Sequence, residues 1–122
     1  MQPAIAPVGL DYIAGAAKQA GIEVDLVDLC LAASTNSPQA DNKDGTLQDY
    51  FSKHNPELVG LSFRNVDDCF WPSCQWFVPR LSEQITAIRK LTDAPIVLGG
   101  VGFSIFAPQI VEYTKADFGI RG

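Results

Sequence analysis

Two nearly unbroken apolar runs stand out along the chain. Leu58-Val59-Gly60-Leu61-Ser62-Phe63 and Pro95-Ile96-Val97-Leu98 carry almost no polar residue, as strands covered on both faces require. The second run passes into Gly99-Gly100, then Ser104 as a polar N-cap candidate and Pro108. That order predicts a buried strand, a tight turn and the start of a helix.

Helical spacing fills the intervals between the runs. Leu10, Ile13, Ala14 and Ala17 recur at i, i+3, i+4 and i+7, with Gly21 placed as a C-terminal cap. Thr46 and Asp49 form a capping box that opens a short helix from Leu47 to Lys53, and Pro56 stops it. Pro79 starts a helix with Leu81, Ile85, Ile88 and Leu91 inward, ended by Asp93. A shorter helix is expected over Pro108–Lys115.

Val24, Leu26, Val27 and Leu29, interrupted by Asp25 and Asp28, read as a strand with one partly exposed side. Asp117–Arg121 reads as a last strand. Met1–Val8, Cys30–Asp44 and Arg64–Val78 read as loops. The third holds both tryptophans, Trp71 and Trp76, and long loops in compact domains are often functional. Strands alternating with helices predict an α/β fold with a parallel sheet and right-handed crossovers. In such sheets ligands bind in the crevice outside the carboxyl ends of the strands.

Composition narrows the class. The 122 residues suit a single domain spanning 1–122, 47% hydrophobic and 19% charged, with a formal net charge of −5. No basic patch stands out, so nucleic acid is not an expected partner. No apolar run reaches the ~18 residues of a membrane span. Residues 1–9 lack the pattern of a signal peptide, so the cytoplasm is the expected location. Cys30, Cys69 and Cys74 fit neither a disulfide framework nor a zinc signature, and are read as incidental or buried thiols.

Five stretches together resemble the cobalamin-binding domain found ahead of the catalytic barrel in radical S-adenosylmethionine enzymes. Pro7-Val8-Gly9-Leu10-Asp11-Tyr12-Ile13-Ala14 is similar to that family's entry to its first helix. Ala20-Gly21-Ile22-Glu23-Val24-Asp25-Leu26-Val27-Asp28 resembles its turn into the second strand. Val59-Gly60-Leu61-Ser62 and Val97-Leu98-Gly99-Gly100 resemble its third and fourth strand ends, and Ala116-Asp117-Phe118-Gly119-Ile120-Arg121-Gly122 its closing strand.

The resemblance implies a Rossmann-like (flavodoxin-like) sheet of order 2-1-3-4-5 with helices on both faces. The family's first strand has no counterpart here. The sheet is therefore expected to lack it, and the chain to be a fragment of a longer enzyme. Unpaired strand edges would then favour a homo-oligomer. There is no Cys-x-x-x-Cys-x-x-Cys and no Asp-x-His-x-x-Gly in the sequence. An iron–sulfur cluster and S-adenosylmethionine are accordingly expected only in a barrel domain of the full-length protein, which is the implied partner. No catalytic residue and no protein metal ligand is expected in this chain.

The implied cofactor is cobalamin, held base-off and His-off, with its nucleotide tail between the third and fourth strands. Candidate binding residues are Ser62, Phe63, Arg64 and Asn65 at one strand end, and Gly99, Gly100, Val101, Gly102 and Ser104 at the other. In the resembled family a hydroxyl at Ser62 bonds the nucleotide tail; the alternative is a Ser satisfied by neighbouring backbone. Gly99 and Gly100 either admit the cofactor against bare backbone or serve a turn of positive φ. His54, the only histidine, suits a helix C-terminus. Asp67 and Asp68 are read as a solvated or turn-forming pair, the alternative being acid–base work or a metal, and Phe70, Trp71, Trp76 and Phe77 either as a cluster holding the loop down or as a cover for a corrin face or another domain. The competing reading is a cofactor-free interaction or regulatory domain docking through loop 64–78. A nucleotide binder is disfavoured by the absence of Gly-x-Gly-x-x-Gly and Gly-x-x-x-x-Gly-Lys-Ser/Thr.

Overall fold

The computed structural model describes residues 7–29 and 43–122. The chain forms two compact units, Met1–Tyr50 and Phe51–Gly122. The readings of residues 1–6 and 30–42, Cys30 among them, lie outside the described residues.

In the first unit, α1 runs over Val8–Gln19. It ends as its sequence dictates. Gly21 takes φ +81°. Its N–H donates to the Lys18 carbonyl at 3.0 Å, and the Ile22 N–H donates to that of Ala17 at 3.0 Å. This is the paired closure that a left-handed residue after a helix allows.

The Val24–Leu29 stretch corrects the expectation. Residues 22–28 hold no regular secondary structure. An apolar stretch becomes a strand only when a neighbour supplies the ladder, and among the described residues none does. The helix α2 covers Lys43–Lys53 rather than starting at Leu47. Thr46 therefore lies inside it, because three helical residues precede it. Gly45 costs a helix interior about 1 kcal/mol against Ala and does not stop it. Within this unit the Tyr50 hydroxyl donates to Asp25 Oδ2 at 2.8 Å.

The second unit carries the sheet. Its strands are β1 (Val59–Ser62), β2 (Ile96–Gly99) and β3 (Phe118–Gly119), all parallel and ordered β1-β2-β3. That is the neighbour order expected for strands three, four and five. β2 is central, and Ile96 and Leu98 are fully buried. β1 is less covered than its composition suggested, since Val59 and Leu61 are half-buried while Gly60 and Ser62 are exposed.

Between β1 and β2 runs α3, Val78–Arg89, with Pro79 in its first turn, where a missing N–H costs nothing. Leu81, Ile85 and Ile88 occur at the spacing of one helix face, and all are buried. After β2 come α4 (Val101–Ile105) and α5 (Ala107–Thr114). α5 packs against α3. It stops where Lys115 turns left-handed, φ 59°.

The polar residue expected to cap the post-β2 helix does not do so. Gly100 occupies the cap position, and Ser104 is helical, its hydroxyl donating to the Gly100 carbonyl at 2.9 Å.

Candidate strand-end site

The carboxyl ends of β1 and β2 lie side by side, with Ser62 in register with Gly99. The ladder continues one step beyond, where the Phe63 N–H donates to the Gly99 carbonyl at 2.8 Å. The Phe63 carbonyl in turn accepts the Phe103 N–H at 3.1 Å. The residues after β1 are thus bonded both to β2 and to the first turn of α4.

Gly100 and Gly102 belong to this contact. A Cβ on Gly100 would stand 2.7 Å from the Phe63 carbonyl oxygen, and the residue takes φ +103°. A Cβ on Gly102 would stand 2.7 Å from the carbonyl carbon and oxygen of Arg64. Both glycines are therefore required by the chain's own backbone, whatever lies above it. Gly99 differs: the nearest atom to a Cβ there is the Ile120 carbonyl oxygen at 3.7 Å. Among the glycines of this turn, Gly99 leaves room beside the strand end.

Side chains sort into a floor and a rim. Phe63 and Phe103 are buried beneath the strand ends, while Ser62, Arg64, Asn65 and Val101 are exposed. Ser104 is committed elsewhere, since its hydroxyl also accepts the Gly122 N–H at 3.3 Å. A hydroxyl, a guanidinium and an amide over an apolar base suit a flat ligand with polar edges. The fit to a corrinoid therefore rests on Ser62, Gly99, Arg64 and Asn65 more than on Gly100 or Gly102.

The loop after Asn65 is built locally. Asp67 and Trp76 form an antiparallel bridge, and the Phe77 N–H donates to the Val66 carbonyl at 2.8 Å. Asp68 accepts the Ser73 hydroxyl and the Phe70 N–H at 3.2 Å. The Ser73 bond is the main cause that holds the Asp68 carboxyl below the ordinary carboxylate pKa.

Aromatic burial does not hold this loop down, contrary to one expectation. Trp71 is 87% exposed and Phe70 61%. Among the described residues Trp76 meets the Phe106 ring, at 6.1 Å between centroids and 59° between planes. Nothing in the apolar pattern marked Phe106 as that partner, because the contact joins two loops far apart in sequence. Cys69 and Cys74 are exposed free thiols rather than buried ones.

His54 lies on the segment leading into the amino end of β1, away from the carboxyl-end surface. Among the described residues no group of three or more His, Cys, Asp or Glu is placed to hold a metal ion. No described helix is long and apolar enough to cross a membrane.

Comparison with known proteins bears on the family of the whole chain. The family model described as "B12 binding domain" matches residues 2–122. A tryptophan 2-C-methyltransferase from Streptomyces laurentii is 35% identical over 122 residues, all of this chain and 19% of that protein. The radical S-adenosylmethionine methyltransferase TsrM from Kitasatospora setae, solved with cobalamin and a 4Fe-4S cluster bound, superposes with a TM-score of 0.89 at 38% identity. That match covers 100% of this chain and 22% of the TsrM chain. The same enzyme with tryptophan substrate and the analogue aza-SAM bound matches equally, at 0.89 and 38%. The chain thus spans about a fifth of the length of these relatives.

Proposed function

The chain belongs to the B12-binding domain family, and from that membership we propose that it holds cobalamin, base-off and His-off, as the cofactor domain of a radical S-adenosylmethionine methyltransferase. The observation that carries the reading is the whole-chain likeness to an enzyme solved with cobalamin bound. The open strand-end surface of Ser62, Gly99, Arg64 and Asn65 supports it.

When bound, cobalamin supplies a cobalt centre able to carry a methyl group. This chain's residues supply position. Ser62 offers a hydroxyl at the end of β1 for a polar group of the nucleotide tail. Gly99 leaves the adjoining strand end free of a side chain, so the tail can lie against backbone. Arg64 and Asn65 offer donors at the rim for the polar periphery of the ring. The glycine-tightened turn below keeps these groups on rigid strand ends, which favours precise placement over loop-borne contacts. Methyl transfer requires the radical S-adenosylmethionine machinery, and the expected partner is a domain that carries it.

What supports the His-off reading is the place of the chain's only histidine: His54 is on the approach to the amino end of β1, at the opposite end of the strand from Ser62. The test is reconstitution of the purified chain with hydroxocobalamin, followed by desalting and reduction. Corrinoid is expected to stay with the protein, and the cob(II)alamin EPR spectrum is expected to show no nitrogen superhyperfine splitting. Protein that emerges colourless overturns cobalamin binding in favour of a docking domain. Nitrogen coupling that disappears in His54→Ala overturns only the His-off reading.

A further inference from the structure

The two exposed cysteines stand in a relationship that cobalamin binding does not use. The loop between Val66 and Phe77 folds back as an antiparallel neck. Its register is given by the Asp67–Trp76 bridge, by the Phe77 N–H on the Val66 carbonyl at 2.8 Å, and by the Asp68 N–H on the Gln75 carbonyl at 3.3 Å. The last of these bonds joins residues 68 and 75, so Cys69 and Cys74 are the next residues on the two sides of the neck. The hydrogen bonds fall at the 66/77 and 68/75 pairs, and 67/76 is the non-bonded position between them. A disulfide spans Cα atoms ~4.4–6.8 Å apart, and closing one here asks only that the two sides of the neck meet one residue beyond their last bond.

Neither thiol is committed to the interior. Both are free and exposed. The Cys69 Sγ donates to Asp67 Oδ1 at 3.2 Å and the Cys74 Sγ to the Trp71 carbonyl at 2.9 Å. Both residues also take positive φ, 54° and 46°, an uncommon conformation for a side-chain-bearing residue. They sit at the point where the neck opens into the tip that carries Trp71, closed by the Ser73 N–H on the Phe70 carbonyl at 3.1 Å.

We propose that Cys69 and Cys74 are a redox-reactive pair that closes to a disulfide across the neck of the Trp71 loop. The oxidant is a low-molecular-weight disulfide. One cysteine thiolate attacks a sulfur of that disulfide, forming a mixed disulfide and releasing one small thiol. The second cysteine then attacks the protein sulfur of the mixed disulfide and releases the other small thiol. Two protein thiols are oxidised and one small disulfide is reduced to two thiols.

Asp67 sets the order. Its carboxylate accepts the Cys69 thiol and pushes that thiol's pKa up, so Cys69 is the poorer first nucleophile. Cys74 makes the first attack and Cys69 resolves it. The product fixes the loop that follows directly on Arg64 and Asn65, next to the strand-end surface.

The experiment uses the chain with oxidised glutathione as the probe. No Lys or Arg lies between Arg64 and Arg80, so one tryptic peptide, residues 65–80, contains both cysteines. Two of the three thiols are expected to disappear together and that peptide to lose two hydrogens in mass. Chymotryptic cleavage within residues 70–73 should leave its halves joined until they are reduced. Cys69→Ser should instead hold a lasting glutathione adduct on Cys74. Cys74→Ser should take up glutathione at Cys69 more slowly, and Asp67→Asn should remove that lag. Wild-type protein that keeps separate glutathione adducts on Cys69 and Cys74 overturns the proposal. So does a disulfide that joins Cys30 or a second copy. Each readout is a covalent mass, so the result stands apart from whether the chain binds cobalamin.

Discussion

Asp117 and Ile96 bond each other twice. The Asp117 N–H donates to the Ile96 carbonyl at 3.0 Å, and the Ile96 N–H donates to Asp117 Oδ2 at 2.7 Å. The same carboxylate oxygen accepts the Arg89 guanidinium at 2.8 Å, which also donates to the Lys115 carbonyl at 2.9 Å. One side chain thus joins the start of β2, the approach to β3 and the end of α3. This clasp lies at the amino end of the sheet and holds the strands whose other ends form the candidate site.

The clasp predicts an acid limit. The Ile96 N–H first, and Arg89 second, hold the Asp117 carboxyl below the ordinary carboxylate pKa. A group whose pKa is lowered by folding contributes stability above its unfolded pKa, near 3.9 for Asp. That contribution is lost as pH falls through the lowered folded value. Thermal melts recorded downward from about pH 6 should therefore show a falling midpoint below about pH 4. In Asp117→Asn the midpoint should start lower and fall less over that window, because the amide can accept the Ile96 N–H but carries no charge for Arg89. Parallel curves for the two proteins would show that other carboxylates, Asp68 first, set the limit.

Ile88 tests the core. It is fully buried on α3, as is Ile96 on β2. Truncating a buried Ile to Ala typically costs about 2–5 kcal/mol, against a domain stability of roughly 5–15 kcal/mol. Ile88→Ala should shift the urea midpoint sharply downward, and Leu91→Ala, at a half-buried position, should shift it less. Equal shifts would mean that the helix face is centred differently.

What could be read in the sequence was local. The apolar run from Ile96 to Leu98 and the spacing of Leu81, Ile85 and Ile88 state their burial within a few residues of themselves, and the structure places them so. Features set by distant neighbours stayed hidden. Val24–Leu29 has strand composition but no ladder among the described residues, and strandness depends on the partner. Ser104 reads as a cap until Gly100 takes that position and Gly122 engages its hydroxyl. Gly100 reads equally as an opening for a ligand or as a turn of positive φ, and only the fold shows that a Cβ there or at Gly102 would meet the backbone of Phe63 and Arg64. The thiols of Cys69 and Cys74 read as small apolar groups because composition cannot show that they adjoin the end of a neck, in the open.

The outer edge of β1 predicts association between copies. The N–H groups of Val59 and Phe63 point toward β2, at 3.0 Å from the Pro95 carbonyl and 2.8 Å from that of Gly99. By alternation, those of Gly60 and Ser62 point the other way. Among the described residues β1 pairs only with β2, and a strand edge left without a partner would invite a strand of another copy. Light scattering should give a mass that rises above the monomer with concentration. Gly60→Pro removes an outward donor without touching the β1–β2 ladder and should lower that association. A monomer at every concentration would refute edge pairing.

The strand-end site is best tested by comparing two neighbouring glycines, because the structure assigns them different work. At Gly99 the nearest atom to an added Cβ is the Ile120 carbonyl oxygen, an ordinary contact at 3.7 Å, so Gly99→Val should leave the far-UV circular dichroism and the melting midpoint nearly unchanged. The same side chain projects where a cofactor tail would run along the strand end. Cobalamin retained after desalting should therefore fall strongly. At Gly100 a Cβ stands 2.7 Å from the Phe63 carbonyl oxygen, on a backbone with φ +103°. Left-handed strain of this kind costs of order 1–3 kcal/mol before any clash. Gly100→Val should accordingly lose stability, and lose cobalamin only as a consequence. Ser62→Ala supplies the third point. It removes one exposed hydroxyl, leaves the fold intact and should weaken retention by the ~0.5–1.5 kcal/mol of a typical hydrogen bond. If Gly99→Val and Ser62→Ala both keep wild-type retention while folded, the cofactor lies away from the ends of β1 and β2.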